Sequence, residues 1–400
     1  LVAGSISHGL WWSTDGATWT QGTGFSTTAT SKTVHYANGI WLATYDSPVT
    51  TEFGIYWSLD GKTWTHATAG NVAVFIKTIF ANSGMWIAGT DKGIWWSEDG
   101  KTWTQVTGTT TSYTFYGVSY GNGIWVAGSD SHGLWWSTDG KTWTQVTGDT
   151  ASYRFNAICY ANDIWVAGSS SHGLWWSTDG KNWTQVTGDT TSYTFRDIYY
   201  ADGIWLAGSS SHGLWWSTDG KNWTQVTGGT ASYTFRDIYC ADGIWVAGSS
   251  SHGLWWSTDG KNWTQGTGGA DNTFYSVYYA DEIWVAGSDE PCWSTDGKNW
   301  TKGRVSGGYM PSFYRLCYSN GLWLAGTFEQ GLLKSTDGKN WTRGTGITGR
   351  VCEALYYADG LWLAGFDDNG LWYSTDGINW VQCNEFKTYT YYTIGYANGI

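Results

Sequence analysis

One motif, Ser-x-Asp-Gly-x-x-Trp, occurs ten times along the chain at intervals of 37 to 45 residues. A fixed period of about 40 residues is typical of repeat architectures, in which each unit buries its apolar surfaces against its neighbours. The chain has 400 residues, so ten units fill it. We therefore expect residues 1–400 to form one repeat domain, although the length alone would suggest two or three domains.

The repeating unit is clearest between residues 193 and 225. Four short runs rich in aromatic and β-branched residues are separated there by turns of Gly, Asp, Asn and Ser, and no helical periodicity is present. We predict strand A at 195–200, B at 204–208, C at 214–217 and D at 223–226. Four antiparallel strands in about 40 residues predict one blade of an all-β propeller.

The two ends of the chain complement each other. Residues 395–400 match the end of strand A and the first residue of strand B, and residues 1–5 match the rest of strand B. We predict a single ring of ten four-stranded blades, closed by strand A from the C-terminus joining strands B–D from the N-terminus. Two five-bladed rings are the alternative, but 143–263 is the most regular stretch. An open stack would leave two Trp-rich faces in water.

Charge and composition restrict the partners. The chain has 33 acidic and 21 basic residues, a net charge of −12 and no basic cluster, which argues against nucleic acid and against an anionic membrane surface. No apolar run of 18 residues occurs, so membrane insertion is not expected. The six Cys form no CxxC pair, and we predict no disulfide framework, no metal site and no cofactor.

The repeated turn resembles the Asp-box, or BNR repeat, of sialidases, the sortilin luminal domain and photosystem II assembly-factor propellers. Each copy lacks one residue between Asp and Gly of the usual Ser-x-Asp-x-Gly-x-x-Trp. Phrases such as 36–43, Tyr-Ala-Asn-Gly-Ile-Trp-Leu-Ala, are similar to those of bacterial surface and phage tail propellers. The Asp and Ser side chains can bond backbone N–H groups of the turn. The resemblance implies a structural role on the face opposite the ligand site for Asp15, Asp60, Asp99, Asp139, Asp179, Asp219, Asp259, Asp296, Asp337 and Asp376.

The B–C turns and D–A connections should share the other face. Candidate ligand-binding residues there are His8, His132, His172, His212, His252, Tyr113, Tyr153, Tyr193 and Tyr233. One interpretation is a series of shallow rim pockets with an aromatic platform, suited to sugars. The other is that His-Gly forms a tight turn and Tyr belongs to the core. A shared metal is disfavoured because neighbouring sheets lie about 10 Å apart, whereas each ligand sits about 2 Å from zinc.

Catalysis is not predicted, because near-identical blades do not bring different groups to one point and no catalytic motif occurs. We predict a non-catalytic binding propeller, extracellular or on a cell surface (secreted or virion-associated), that recognises glycans or a cell-surface ligand. It would be a monomeric ring or a module of a larger protein, with avidity supplied by repetition. The alternatives are a sortilin-like protein- or peptide-binding scaffold, using the channel or the divergent segments 45–53, 288–292 and 304–315, and a structural spacer in a surface fibre.

Overall fold

The computed structural model consists of ten sheets arranged as blades around a channel, each built on four antiparallel strands. One sheet has a short fifth strand, Arg304–Val305, which pairs in parallel with Asn340–Arg343. It describes residues 1–6, 8–25, 30–46, 54–69, 74–82, 84–210, 212–226, 233–268, 273–307, 312–328, 331–344, 351–358, 360–383 and 390–395. We number the blades 1 to 10 in chain order from residue 30, so that blade 10 combines both ends of the chain. Each blade has strands A, B, C and D in order across its sheet.

The strand bounds follow the repeat. Strands A of blades 1 to 10 are Thr30–Ala37, Ile76–Asn82, Phe115–Gly121, Phe155–Ala161, Phe195–Ala201, Phe235–Ala241, Phe274–Ala280, Phe313–Ser319, Cys352–Ala358 and Tyr391–Gly395. Strands B are Ile40–Asp46, Met85–Thr90, Ile124–Ser129, Ile164–Ser169, Ile204–Ser209, Ile244–Ser249, Ile283–Ser288, Leu322–Thr327, Leu361–Phe366 and Val2–Ser5. Strands C are Ile55–Ser58, Gly93–Ser97, Leu134–Ser137, Leu174–Ser177, Leu214–Ser217, Leu254–Ser257, Cys292–Ser294, Leu332–Ser335, Gly370–Ser374 and Leu10–Trp12. Strands D are Thr65–His66, Thr104–Gln105, Thr144–Gln145, Thr184–Gln185, Thr224–Gln225, Thr264–Gln265, Thr301–Lys302, Asn340–Arg343, Val381–Gln382 and Thr20–Gln21.

Blade 10 closes the ring as the sequence predicts. Its strand B pairs with strand A from the other end of the chain, with Val2 opposite Gly395 and Ala3 opposite Ile394. Ten separate apolar cores are present among the described residues, and each lies between one pair of neighbouring blades. One of them joins blade 10 to blade 1. The prediction of a single ten-bladed propeller is therefore confirmed.

Both faces of each sheet are apolar because both are covered by neighbours. In blade 3, Trp135 enters the core shared with blade 2, whereas Leu134 and Trp136 face the core shared with blade 4. Leu134 is fully buried. Burial of a side chain of this size stabilises the fold by about 1.5–3 kcal/mol. The adjacent Leu-Trp-Trp triplet thus contributes to two seams of the ring.

Three local features differ from the prediction or extend it. Strand D is shorter than expected, for example Thr224–Gln225, because only these two residues pair with strand C. In blade 8 the parallel strand Arg304–Val305 pairs with Asn340 and Trp341, and strand D there has four residues. Short 3-10 turns, which the repeat pattern did not indicate, precede three strands A, at Thr109–Ser112, Asp149–Ser152 and Asp189–Ser192. Near its start, the A–B pairing has a register shift in every blade. Such a β-bulge re-aims the side chain of the extra residue.

Candidate binding face

The repeated Asp turn connects strands C and D and is held together by its own side chains. In blade 3, the Ser137 hydroxyl donates to Asp139 Oδ1 at 2.9 Å and accepts from the Gly140 N–H at 2.8 Å. The same Asp139 oxygen accepts the backbone N–H groups of the next two residues after Gly140, at 2.8 and 2.7 Å. The Trp143 indole donates to the Gly140 carbonyl at 2.9 Å. The Ser–Asp bond occurs in all ten blades. Oδ1 is therefore directed at the turn itself.

These hydrogen bonds also determine the charge state of the turn. Partial burial disfavours ionised Asp179, but donation from the backbone N–H and side-chain amide of Asn182 and from the Lys181 N–H outweighs it and lowers the pKa of Asp179 to about 2. The pKa is lowered in each of the ten aspartates. A carboxylate hydrogen-bonded in this way is a poor general acid or base.

The opposite face brings the B–C turns and the D–A connections together. In blade 3, the His132 carbonyl accepts the Trp135 indole N–H at 3.0 Å and the Gln145 amide at 2.8 Å. The Gly133 N–H donates to the Tyr153 carbonyl of the following connection at 3.0 Å. In blade 9, the carbonyl of Asn369 takes the same role as that of His132. The turn therefore needs the backbone carbonyl at this position but not an imidazole ring.

Four of the candidate histidines stack on four of the candidate tyrosines. Ring centroids lie 3.4–3.5 Å apart at interplanar angles of 8–11° in the pairs Tyr113–His132, Tyr153–His172, Tyr193–His212 and Tyr233–His252. All eight rings are half-buried. Each tyrosine gives one face to its histidine, so the aromatic surface on this face is the His–Tyr pair rather than a bare tyrosine.

A serine orients the imidazole in three of these pairs. Nδ1 of His132, His172 and His252 lies 3.1, 2.8 and 2.7 Å from the hydroxyl of the preceding serine. Among the described residues, Nε2 of these three rings has no hydrogen-bond partner. The arrangement thus presents a fixed ring nitrogen, which can donate or accept, beside a tyrosine.

The D–A connections differ in the residue that follows strand D, and the His–Tyr pairs occur after the connections that begin with Val. After the buried Val106, Val146 and Val186, a short 3-10 turn and the tyrosine come next. Residues 227–232, which follow Val226, lie outside the described part of the chain. Where Gly follows, as at Gly22, the connection instead runs along the next blade, with Thr23 bridging Thr63 in parallel. The Val connections enter blades 3 to 6, which restricts the pairs to one arc of the ring.

The fifth candidate histidine, His8, lies in blade 10. Its Nδ1 is 2.8 Å from the Ile6 carbonyl, and its own carbonyl accepts the Trp11 indole N–H and the Gln21 amide. The connection that enters strand A of this blade, 384–389, lies outside the described residues, as does part of the divergent segment 45–53.

No group of three or more His, Cys, Asp or Glu side chains that could hold a metal occurs in the described part of the chain. All six Cys are free thiols. No described helix is long and apolar enough to cross a membrane.

The sequence reasoning missed the channel wall. Strand A forms the inner edge of each blade, and its bulge position varies among five residue types around the ring: Lys32, Lys77, Tyr116, Asn156, Arg196, Arg236, Tyr275, Tyr314, Glu353 and Tyr392. The signal was present, because blades 3 to 5 are nearly identical in strands B and C but differ at this position. Its meaning depends on the bulge, which the repeat pattern does not reveal.

Comparison with known proteins gives distant structural similarity. No protein-family model matches the sequence, and no curated protein matches it significantly. The computationally designed protein Ika8 is similar with a TM-score of 0.45 and 15% identity, over 74% of this chain and 94% of that chain. An ancestral GH74 enzyme has a TM-score of 0.43 and 15% identity, over 93% of this chain and 63% of that chain. YCF48 bound to D1 peptide has a TM-score of 0.40 and 16% identity, over 62% of this chain and 88% of that chain. Similarity at this level assigns no function.

Proposed function

We propose that this protein is a non-catalytic binding propeller of the cell exterior that recognises glycans or another cell-surface ligand through the His–Tyr pairs on its rim. The single observation that carries the proposal is the fourfold repetition of one half-buried unit, in which a histidine stacks on a tyrosine at 3.4–3.5 Å. In three of the four pairs, the unit combines an aromatic edge with a fixed ring nitrogen and a serine hydroxyl, which are groups that suit the hydroxyls of a sugar.

Two further considerations support a binding role. The imidazole is not needed for the turn, since Asn369 supplies the same carbonyl in blade 9. Equal sites on consecutive blades can bind a polyvalent surface with high avidity although each site is weak. We interpret the ten Asp turns as a shortened Asp-box that builds the other face, as in the propellers that the motif resembles.

A glycan array probed with protein displayed at high density tests the proposal. Replacing His132, His172, His212 and His252 one after another by Asn keeps the backbone acceptor that blade 9 uses, so the fold should persist. We expect a stepwise loss of binding with each replacement. His66→Gln is the matched control, because Gln occupies this strand D position in blades 2 to 6.

Two results would count against the rim sites. One is the absence of any glycan signal from the unchanged protein at high density. The other is unchanged binding by the variant that carries all four His→Asn replacements, provided that its melting temperature matches that of the control.

A protein- or peptide-binding scaffold is the second candidate, and variation at the bulge position favours it. That position is Tyr116, Asn156 and Arg196 in blades 3 to 5, whose strands B and C are nearly the same, as expected if different side chains contact one asymmetric partner. If so, replacing the divergent segments 288–292 and 304–315 by the corresponding residues of blade 4 would abolish capture of the partner. His172→Asn and His212→Asn would leave capture unchanged.

A further inference from the structure

Strands A of blades 6, 7 and 8 form a groove in the wall of the channel. Its volume is about 410 Å³, which lies within the range of small-molecule sites. Four tyrosines and two charged residues are prominent in its lining: Tyr239, Tyr275, Tyr278, Tyr314, Asp237 and Arg315. We call this feature the tyrosine groove.

The tyrosines form two tiers along the strand direction. In the tier at the bulge position, Tyr275 and Tyr314 have ring centroids 5.4 Å apart and an interplanar angle of 25°. In the other tier, Tyr239 and Tyr278 have centroids 5.7 Å apart and an angle of 42°. The tiers are three residues apart in blade 7, which is roughly 10 Å along a strand. The first tier bridges blades 7 and 8 and the second bridges blades 6 and 7, so the groove crosses two seams of the ring.

The first tier extends toward the rim. Tyr314 is 41% exposed, and Phe328, whose ring centroid lies 6.4 Å from that of Tyr314, is 49% exposed. Exposed aromatic rings of this size are uncommon on a fold that buries most of its tryptophan. These rings therefore offer an accessible apolar surface at the open end of the groove.

Opposite charges lie at the two ends of the lining. Asp237 Oδ2 accepts the Val277 N–H at 2.8 Å, which satisfies a donor on the inner edge of blade 7. Burial, with the neighbouring Asp197 carboxylate, raises the pKa of Asp237, although the Val277 and Ile238 N–H groups oppose the shift. Arg315 is exposed on blade 8. One carboxylate and one guanidinium together give no preference for a charged ligand.

The channel wall of blades 2 to 5 lacks this lining. A groove of about 350 Å³ there is lined in part by Gly117, Ala157 and Cys159, and Tyr199 is the one tyrosine among its described lining residues. Since the backbone is alike in both places, the aromatic tiers result from the residues of blades 6 to 8 and not from the fold. The aromatic tiers are thus specific to blades 6 to 8.

We propose that the tyrosine groove is a saccharide site that binds a short neutral oligosaccharide against its two aromatic tiers. Sugar rings carry apolar C–H faces that pack on aromatic rings, and tyrosine combines a rigid apolar body with a polar tip. The hydroxyls of the chain donate to Asp237 and accept from Arg315. The net charge of −12 disfavours a polyanionic ligand. The groove shares no residue with the His–Tyr pairs, so this inference does not depend on the rim sites.

Calorimetric titration with a panel of short neutral oligosaccharides based on glucose, galactose, mannose and N-acetylglucosamine tests the groove. We expect at least one to bind the full chain, and expect Tyr275→Ala combined with Tyr314→Ala to weaken its binding about tenfold or more, since the two replacements remove both rings of the first tier. Tyr116→Ala is the matched control, because Tyr116 occupies the same bulge position in blade 3, where the Arg154 guanidinium lies 4.5 Å from its ring centroid.

The outcomes separate the groove from the rim. Loss of binding in the Tyr275/Tyr314 variant, with binding kept in the Tyr116 control and in the fourfold His→Asn variant, supports the tyrosine groove. The proposal is overturned if no member of the panel binds, if the Tyr275/Tyr314 variant binds as before, or if the same residues capture peptides from a library but no sugar. Melting temperatures of all variants establish that each is folded.

Discussion

Lys181 Nζ lies 4.6 Å from the centroid of the Trp136 ring, although the two residues belong to adjacent blades. The lysine follows the Asp-Gly of blade 4, and the tryptophan is the third residue of strand C in blade 3. The same contact, at 4.3–5.0 Å, joins eight seams of the ring: Trp12–Lys62, Trp57–Lys101, Trp96–Lys141, Trp136–Lys181, Trp176–Lys221, Trp216–Lys261, Trp256–Lys298 and Trp293–Lys339. A repeated cation–π contact thus couples one blade to the next.

The two remaining seams change both partners at once. Between blades 8 and 9, Lys334 stands at the tryptophan position and Ile378 at the lysine position. Between blades 9 and 10, the corresponding residues are Tyr373 and Ala17. In neither seam is the tryptophan or the lysine kept without the other. The two positions therefore change together, which indicates that the contact between their side chains matters.

Removing one of these lysines should destabilise the ring modestly. Lys181→Met keeps the length of the side chain and removes its charge, so we expect a loss of about 0.5–1 kcal/mol in the free energy of unfolding, the usual size of a partly exposed cation–π contact. Urea unfolding followed by tryptophan fluorescence measures it. Lys334→Met is the control, because Lys334 occupies the position that holds the tryptophan in the eight paired seams. An equal effect in both variants would mean that the contact contributes nothing.

Restoring the pair should stabilise the seam that lacks it. In a double-mutant cycle with Lys334→Trp and Ile378→Lys, we expect a favourable coupling energy of about 0.5–1 kcal/mol. The physical reason is that the new lysine gains a ring only when the new tryptophan is present. Additive single effects in the same unfolding assay would contradict this expectation.

The fold could be predicted from the sequence because the information is periodic. Leu134 and Trp135 are adjacent apolar residues of a pattern that most units repeat, and their burial on opposite faces leaves a propeller as the arrangement that covers both. Continuity of the pattern from residues 395–400 to residues 1–5 also indicated the closing strand pair, in which Ala3 lies opposite Ile394. The length of strand D could not be predicted, since it depends on pairing with other strands: Thr224–Gln225 pairs with strand C alone, whereas Arg304–Val305 also pairs with the longer strand D of blade 8.

The candidate face was predicted less completely. The pattern placed His172 and Tyr153 on one face, but their stacking depends on the 3-10 turn at Asp149–Ser152, which is set by contacts with the preceding blade. Gly133, for example, leaves room for the Thr150 carbonyl. The tyrosine groove could not be predicted, because Tyr275 reaches its position through a bulge in pairing between strands. Features that depend on two blades at once are absent from the pattern of one unit.

Gly133 and Gly123 provide a test of this contact between blades. Both have positive φ, 71° and 76°, but a Cβ on Gly133 would lie 2.0 Å from the Thr150 carbonyl oxygen, whereas one on Gly123 meets nothing within 4 Å. We expect Gly123→Ala to cost about 1 kcal/mol from backbone strain. Gly133→Ala should cost about 1–3 kcal/mol more, because the next connection must move. Urea unfolding of both variants measures the difference. Equal losses in the free energy of unfolding would show that the connection containing Thr150 can move without an energetic cost.

The stability of the ring should fall in acid, because the pKa of each Asp-turn carboxylate is lower in the folded protein than in an unfolded chain, where it is about 3.9. For Asp179, Asp219 and Asp259 the folded pKa is about 2, chiefly because donated hydrogen bonds outweigh partial burial. A depressed folded pKa contributes stability above the unfolded value and loses it as the pH drops through the folded value. We therefore expect the free energy of unfolding to decrease between about pH 4 and pH 2. Asp237 alone contributes in the opposite direction, because its pKa is raised in the folded protein and its protonation therefore favours the folded state.

Urea unfolding at a series of pH values measures the effect, and Asp179→Asn provides the comparison. The amide keeps an oxygen acceptor for the turn but does not ionise, so the variant should take up fewer protons on unfolding and show a shallower dependence on pH in this range. Thr178→Ala is the matched control, because Thr178 is exposed at the variable second position of the same turn. This replacement changes no ionisable group, so the control should retain the full slope. A free energy of unfolding that stays constant from about pH 5 to pH 2 would show that the ten carboxylates do not stabilise the fold.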